Sequence, residues 1–257
     1  MRNEQVIILA AVQGLTEFLP VSSSGHLVIL QNFFGLTKPP VLFDILLHVG
    51  TLGAIFFYFR KGLAQIMSGL AQKKKESVDI LWVVFLGTIP AALIGWFFER
   101  EIELAFNSFQ AVGLAFLFTA GLLFSSSLVK NKNRQFNQLK WLDALLVGLF
   151  QAVAILPGVS RSGSTIVSGL WRGLSSEAAF IFSFYLAIPA ILGALVLKSG
   201  DLLVYSQTEL IQGLGGMIIA GVVGFFALKI LEKTLKGTKF FWFGVYCLVL
   251  GIIVLLV

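Results

Sequence analysis

The sequence predicts an all-α polytopic membrane protein: six transmembrane helices plus two re-entrant helical hairpins, arranged as an inverted-topology repeat in one membrane domain, 1–257. Three observations predict it. The first is composition. Hydrophobic residues make up 57% of the chain and charged residues 12%, with a mean hydropathy of +0.91, against about 45–50% apolar and about 25% charged in soluble domains. With 13 acidic and 19 basic side chains the surface of a soluble chain this long cannot be covered, so lipid must cover much of it. The second is the recurrence of apolar runs of bilayer length, and the third is an internal repeat.

Six apolar runs match a hydrocarbon core of about 30 Å at about 1.5 Å per residue. They cover about 42 to 59, 80 to 98, 107 to 129, 178 to 197, 211 to 230 and 240 to 257. Two more apolar segments, about 5 to 35 and 141 to 171, are broken by Pro, Gly and Ser: Leu19-Pro20-Val21-Ser22-Ser23-Ser24-Gly25 in one, Leu156-Pro157-Gly158-Val159-Ser160-Arg161-Ser162-Gly163 in the other. Non-helical backbone at membrane depth is tolerated only against protein or a water-filled cavity. These two segments therefore read as re-entrant hairpins. No removable signal peptide is expected, because the early apolar stretch after Arg2 runs on into Glu17 without a small-residue cleavage pattern.

Loop charges set the orientation, since cytoplasmic loops are rich in Lys and Arg. Arg60, Lys61, Lys73, Lys74 and Lys75 follow the first span. Arg100 among Glu99, Glu101 and Glu103 follows the second, and Lys130, Lys132, Arg134 and Lys140 the third. The order is inside, outside, inside. With the second hairpin returning to its side of entry, Lys198, Asp201 and Glu209 fall outside and Lys233, Lys236 and Lys239 inside. The net charge of +6 is thus spread over loops, which suits membrane orientation and excludes a nucleic-acid partner. The single cysteine, Cys247, excludes a disulfide framework and a cysteine-based zinc site.

The repeat shows in letters. Gln13 and Leu19-Pro20 are answered by Gln151 and Leu156-Pro157, and Ser22-Ser23-Ser24-Gly25 by Ser160-Arg161-Ser162-Gly163. Ile94-Gly95-Trp96-Phe97-Phe98 is echoed by Val223-Gly224-Phe225-Phe226. The halves are about 1–130 and 138–257. One hairpin and three spans cross the membrane an odd number of times, so the halves are inverted, with broken helices meeting near the midplane.

Glu17 and Arg161 are the ionisable residues deepest in the interrupted segments, at a cost of at least about 2.5–3.5 kcal/mol each on insertion scales. They form either one structural ion pair or an anion site. The stretch from Pro157 to Thr165 favours the second: a Gly-rich turn with Gly158 and Gly163, the hydroxyls of Ser160, Ser162 and Thr165, and a guanidinium at a helix start suit phosphate. The first hairpin adds Gln13 and Glu17 four residues apart on one helix face, then Ser22, Ser23, Ser24 and His26. These are candidate metal ligands (Gln13, Glu17), base, nucleophile and phosphate ligand. His48, among Leu46, Leu47, Val49 and Gly50, reads as packing. A phosphohistidine route like that of phosphatidic-acid-type lipid phosphatases is disfavoured, because Val167 stands six residues after Arg161. A Ser23 nucleophile and a water activated by Glu17 and a divalent ion both remain open.

The chain resembles the undecaprenyl-diphosphate phosphatases, or bacitracin-resistance proteins, along its whole length. Gln13 to His26 fits the family's Glu/Gln-x-x-x-Glu pattern with its Pro-(Val/Ile)-Ser-Ser-(Ser/Thr)-Gly-His tail, and Pro157 to Thr165 fits Pro-Gly-x-Ser-Arg-Ser-x-x-Thr. Phe182-Ser183-Phe184 and Ile188-Pro189-Ala190 resemble a later segment, and Ile181 departs from it where many members carry a charge. The resemblance implies hydrolysis of undecaprenyl diphosphate, recycling a lipid carrier for envelope polymers. It implies a divalent cation, Mg2+ or Ca2+, and Glu17, Ser23, His26 and Arg161 as the core of the site. It also implies a multi-pass protein of the bacterial plasma membrane with the site on the outer side. Membrane lipids are then partners, bacitracin competes for the substrate rather than binding the protein, and a homodimer is compatible with the family. The competing class is an inverted-repeat transporter of lipid or anion that binds diphosphate without hydrolysing it.

Overall fold

The computed structural model describes residues 1–36, 41–129, 133–197, 206–235 and 240–257. Lys130, Lys132, Lys198, Asp201, Lys236 and Lys239, which carry part of the orientation argument, lie outside the described residues. Among the described residues there are twelve α-helices and two short 3-10 helices.

The first interrupted segment forms α1 (Asn3–Phe18) and α2 (Ser23–Phe33), and the second forms α8 (Trp141–Val153) and α9 (Arg161–Trp171). Both breaks fall at the Pro-containing letters. At about 1.5 Å per residue these arms measure only ~16 to ~24 Å, short of a bilayer core of about 30 Å. Each arm packs on its partner, α1 on α2 and α8 on α9, as a re-entrant hairpin requires.

Helices occupy all six apolar runs: α3 (Val41–Tyr58), α5 (Lys75–Phe97), α7 (Phe109–Ser125), α10 (Ser176–Leu197), α11 (Gln207–Leu235) and α12 (Phe240–Leu256). Of these, α5, α7 (to Leu128), α10 and α11 are long and apolar enough to cross a membrane. α12, at 17 residues, is apolar but shorter. Pro90 in α5 and Pro189 in α10 stay within their helices, as prolines of membrane helices do when neighbours satisfy the freed carbonyls. Trp82, Trp96 and Trp242 are exposed, as expected of side chains facing lipid or its interface.

Two stretches that read as charged loops are helices. α4 (Arg60–Ala71) leaves α3 at a 72° bend, and α6 (Glu99–Phe106) follows α5. α4 buries only Ile66 and Gly69 and α6 buries nothing. An apolar stripe at helical spacing beside charged residues lets such segments lie along an interface, and that period is hidden when only their charge is counted.

The packing crosses between the halves. α1 lies on α11, and α8 lies on α5; α7 and α12 pack on each other. Glycines let backbones meet there: a Cβ on Gly14 would come within 2.6 Å of the Ala220 carbonyl, and one on Gly148 within 2.4 Å of the Gly87 carbonyl. Asp143, fully buried at the start of α8, accepts from Arg134 Nη2 at 2.6 Å and Arg172 Nε at 2.7 Å. Arg134 also pairs with the 173–175 backbone, which ties the linker between the halves to the α9–α10 turn.

Candidate active site

The two breaks meet in the bundle. Ser22 precedes α2 in a left-handed conformation, φ 66°, and its Oγ accepts from Gly25 N at 3.3 Å and from Gly158 N of the second break at 3.1 Å. Ser162 Oγ reaches back to the Leu19 carbonyl at 3.2 Å. Gly158 has φ +97°, and a Cβ there would lie 2.5 Å from the Val112 carbonyl, so glycine is required. Ser160 caps α9 by accepting from Gly163 N at 3.1 Å, as Ser22 caps α2. Two helix starts, each with its positive dipole end, are thereby stitched together.

Glu17 stands at this junction, 8% exposed. Its Oε1 accepts from Arg161 Nη2 at 2.9 Å, and its Oε2 accepts from Ser23 Oγ at 2.6 Å and Gln13 Nε2 at 3.1 Å. The predicted ion pair therefore exists, yet it leaves chemistry over. Arg161 Nη1 and Gln13 Oε1 are buried without partners, and a buried orphan costs about 1–3 kcal/mol or more when charged. A donor and an acceptor on either side of the serine–carboxylate pair are groups that an anion and its counter-cation would satisfy. Phe184, 5.8 Å from the Arg161 guanidinium, and Phe18 wall the site.

Among the described residues no three His, Cys, Asp or Glu side chains cluster to hold a metal ion. Mg2+, however, commonly takes one or two carboxylates and completes its shell with water and substrate phosphates. The Glu17 carboxylate and the orphaned Gln13 Oε1 are hard oxygen donors that fit such a substrate-completed cation.

The structure brings Gln13, Glu17, Ser22, Ser23, Arg161 and Ser162 together. The remaining hydroxyls are engaged in building the loops. Thr165 Oγ1 donates to the Arg161 carbonyl and contacts Ser183 Oγ at 2.6 Å. His26 lies at the edge: its Nδ1 is 2.7 Å from the Ser22 carbonyl and its Nε2 is 2.6 Å from Tyr246 Oη. His48, read as packing, lies 3.0 Å from Gln13 Nε2 and 3.6 Å from Glu17 Oε2 through Nδ1. Thr119 of α7 donates to the Gly158 carbonyl at 2.9 Å and accepts from Ser160 N at 3.1 Å. Tyr246 and Thr119 were not singled out in sequence. Thr119 carries one weak signal, a polar residue within an apolar run.

Comparison with known proteins shows the family. The family model described as bacitracin resistance protein BacA matches residues 6–253. The undecaprenyl-diphosphatase of Carboxydothermus hydrogenoformans is 40% identical over 259 residues, covering 99% of this chain and 97% of that protein. That of Treponema denticola is 41% identical over 258 residues, covering 96% and 94%, and that of Thermosipho africanus 40% identical over 247 residues, covering 96% and 97%. With its two motifs joined around Glu17 and its whole length matched, the chain belongs to the bacitracin resistance protein BacA family.

Proposed function

We propose that this protein hydrolyses undecaprenyl diphosphate to undecaprenyl phosphate and inorganic phosphate in the bacterial plasma membrane, recycling the lipid carrier of envelope polymers. Bacitracin resistance follows from competition for the same lipid. One observation carries the reading: Glu17 holds the Ser23 hydroxyl on one carboxylate oxygen and Arg161 on the other. A carrier that only binds diphosphate has no need of a hydroxyl seated on a base.

Arg161 Nη1 and the starts of α2 and α9 receive the terminal phosphoryl group, whose transfer needs mainly positioning and charge neutralisation. Glu17 takes the proton of Ser23 Oγ as that oxygen bonds the terminal phosphorus. The bond from phosphorus to the bridging oxygen breaks, and undecaprenyl phosphate leaves with the electron pair. The departing phosphate oxygen takes that proton from Glu17; water then attacks the phosphoserine, giving a proton to Glu17, which passes it to Ser23 Oγ as inorganic phosphate is released. Gln13 and Glu17 would hold a divalent cation, which when bound neutralises charge on the diphosphate oxygens. The exchange of helix partners between the two halves supports reading them as an inverted repeat with this site between them.

The test is phosphate release from undecaprenyl diphosphate by detergent-purified protein, with Mg2+, Ca2+ or chelator, beside Arg161→Ala. Metal-dependent release that requires Arg161 is the expected result. No release from folded wild-type protein would favour a binding or transport role.

A further inference from the structure

The first motif is braced from a helix 220 residues away in sequence. His26 Nδ1 lies 2.7 Å from the Ser22 carbonyl, which can only accept, so Nδ1 carries the hydrogen. In the neutral ring Nε2 is then the acceptor, and Tyr246 Oη, 2.6 Å away, donates to it. The Tyr246 and His26 rings are stacked, 1° from parallel, and Phe116 packs edge-on against the imidazole at 5.4 Å. One residue further along α12, Cys247 Sγ points at the Pro20 carbonyl at 3.8 Å. Two successive side chains of α12 thus touch the first motif on either side of Ser22, at His26 and at Pro20.

Ser22 is the residue most in need of a brace. It is non-glycine at positive φ, 66°, a conformation that costs about 1–3 kcal/mol and persists only where its surroundings enforce it. Its Oγ joins the two motifs through Gly158 N, and the next residue, Ser23, must meet Glu17. We propose that Tyr246 is a positioning residue for the hydrolysis: its hydroxyl, donated to His26 Nε2, fixes the ring tautomer that clamps the Ser22 carbonyl and so seats Ser23 on Glu17. The kinetic side of this inference rests on the phosphatase reading; the hydrogen-bond side does not.

Tyr246→Phe keeps the stacked ring and removes only the donor, so the variant is expected to fold, with its melting midpoint lowered by no more than one lost hydrogen bond. kcat for undecaprenyl diphosphate should fall about fivefold to tenfold, the worth of one lost hydrogen bond, with KM unchanged. In a His26→Ala background the same substitution should do nothing further, since its effect passes through that ring. A turnover-independent arm uses 15N-histidine NMR of the detergent-solubilised chain, which has only two histidines. The unprotonated Nε2 resonance of His26, assigned with His48→Gln, should shift in Tyr246→Phe. Wild-type kcat in Tyr246→Phe, additive losses in the double variant, or an unmoved His26 resonance would each overturn the proposal. Should wild-type protein release no phosphate, the phosphatase reading fails, and the NMR arm still decides whether the brace exists.

Discussion

Glu17 serves two partners with opposite demands. Arg161 stabilises it as an anion, and Ser23 needs it to accept a proton. In the mechanism proposed above both demands are met, because the serine proton is taken only as the phosphoryl group arrives beside Arg161. Ser23→Ala should therefore lower kcat at least ~100-fold, the lower range for a general-base step, with KM little changed; a rate near wild type would move the nucleophile to water. Arg161→Lys keeps the charge but loses the planar fork, one arm of which holds Glu17 while the other is free. Its kcat should fall ~100-fold, comparable to loss of one oxyanion donor, and phosphate-release assays read both variants. Gln13, Glu17, Ser23 and Arg161 were legible in sequence because polar residues inside apolar segments need a reason, and at these positions the structure brings them together. His48 was not, since its neighbours in sequence are apolar and its contacts, Gln13 and Glu17, lie 35 and 31 residues away on another helix.

The loops are held by helices of the opposite half. α12, from the second half, touches the first break through Cys247 and the start of α2 through Tyr246 and His26, and α7, from the first half, holds the second break through Thr119. Each break lacks its own ladder of hydrogen bonds, so the missing partners must come from a neighbouring helix. Thr119→Val retains shape and removes both bonds, which leaves the buried Gly158 carbonyl and Ser160 N–H unpaired. A loss of ~2–4 kcal/mol is expected, from about 1–3 kcal/mol for each orphaned group. Thermal unfolding in detergent measures it, and an unchanged midpoint would show that the loop holds itself. The breaks were legible from Pro, Gly and Ser at matching places in the two halves. The bracing was not, because periodicity describes each helix alone and says nothing about which helix it will lie against.

Orientation follows from helix direction as well as from charge. Leu46 meets Gly213, Gly50 meets Met217, Phe57 meets Phe225 and Tyr58 donates to Glu232, so α3 and α11 run parallel with their C-terminal ends at one face. Arg60, Lys61, Lys229 and Lys233 follow or close those helices, so this is a basic face, the cytoplasmic one in the orientation we propose. Gln212, near the start of α11, donates to the Met1 carbonyl at 2.8 Å, so the N-terminus belongs to the opposite face. α1 also runs with α11, as Gly14 lies against Ala220 and Phe18 against Gly224, so in the proposed orientation its break is approached from outside. Cys247 is fully buried and gives a silent background for labelling. In intact cells a membrane-impermeant maleimide should label cysteine introduced at Arg2 or Glu101, and should label cysteine at Lys73 only after permeabilisation. The reverse pattern would turn the molecule over and place the Ser23 loop on the cytoplasmic side, where a phosphatase could not act on carrier lipid exposed at the outer leaflet.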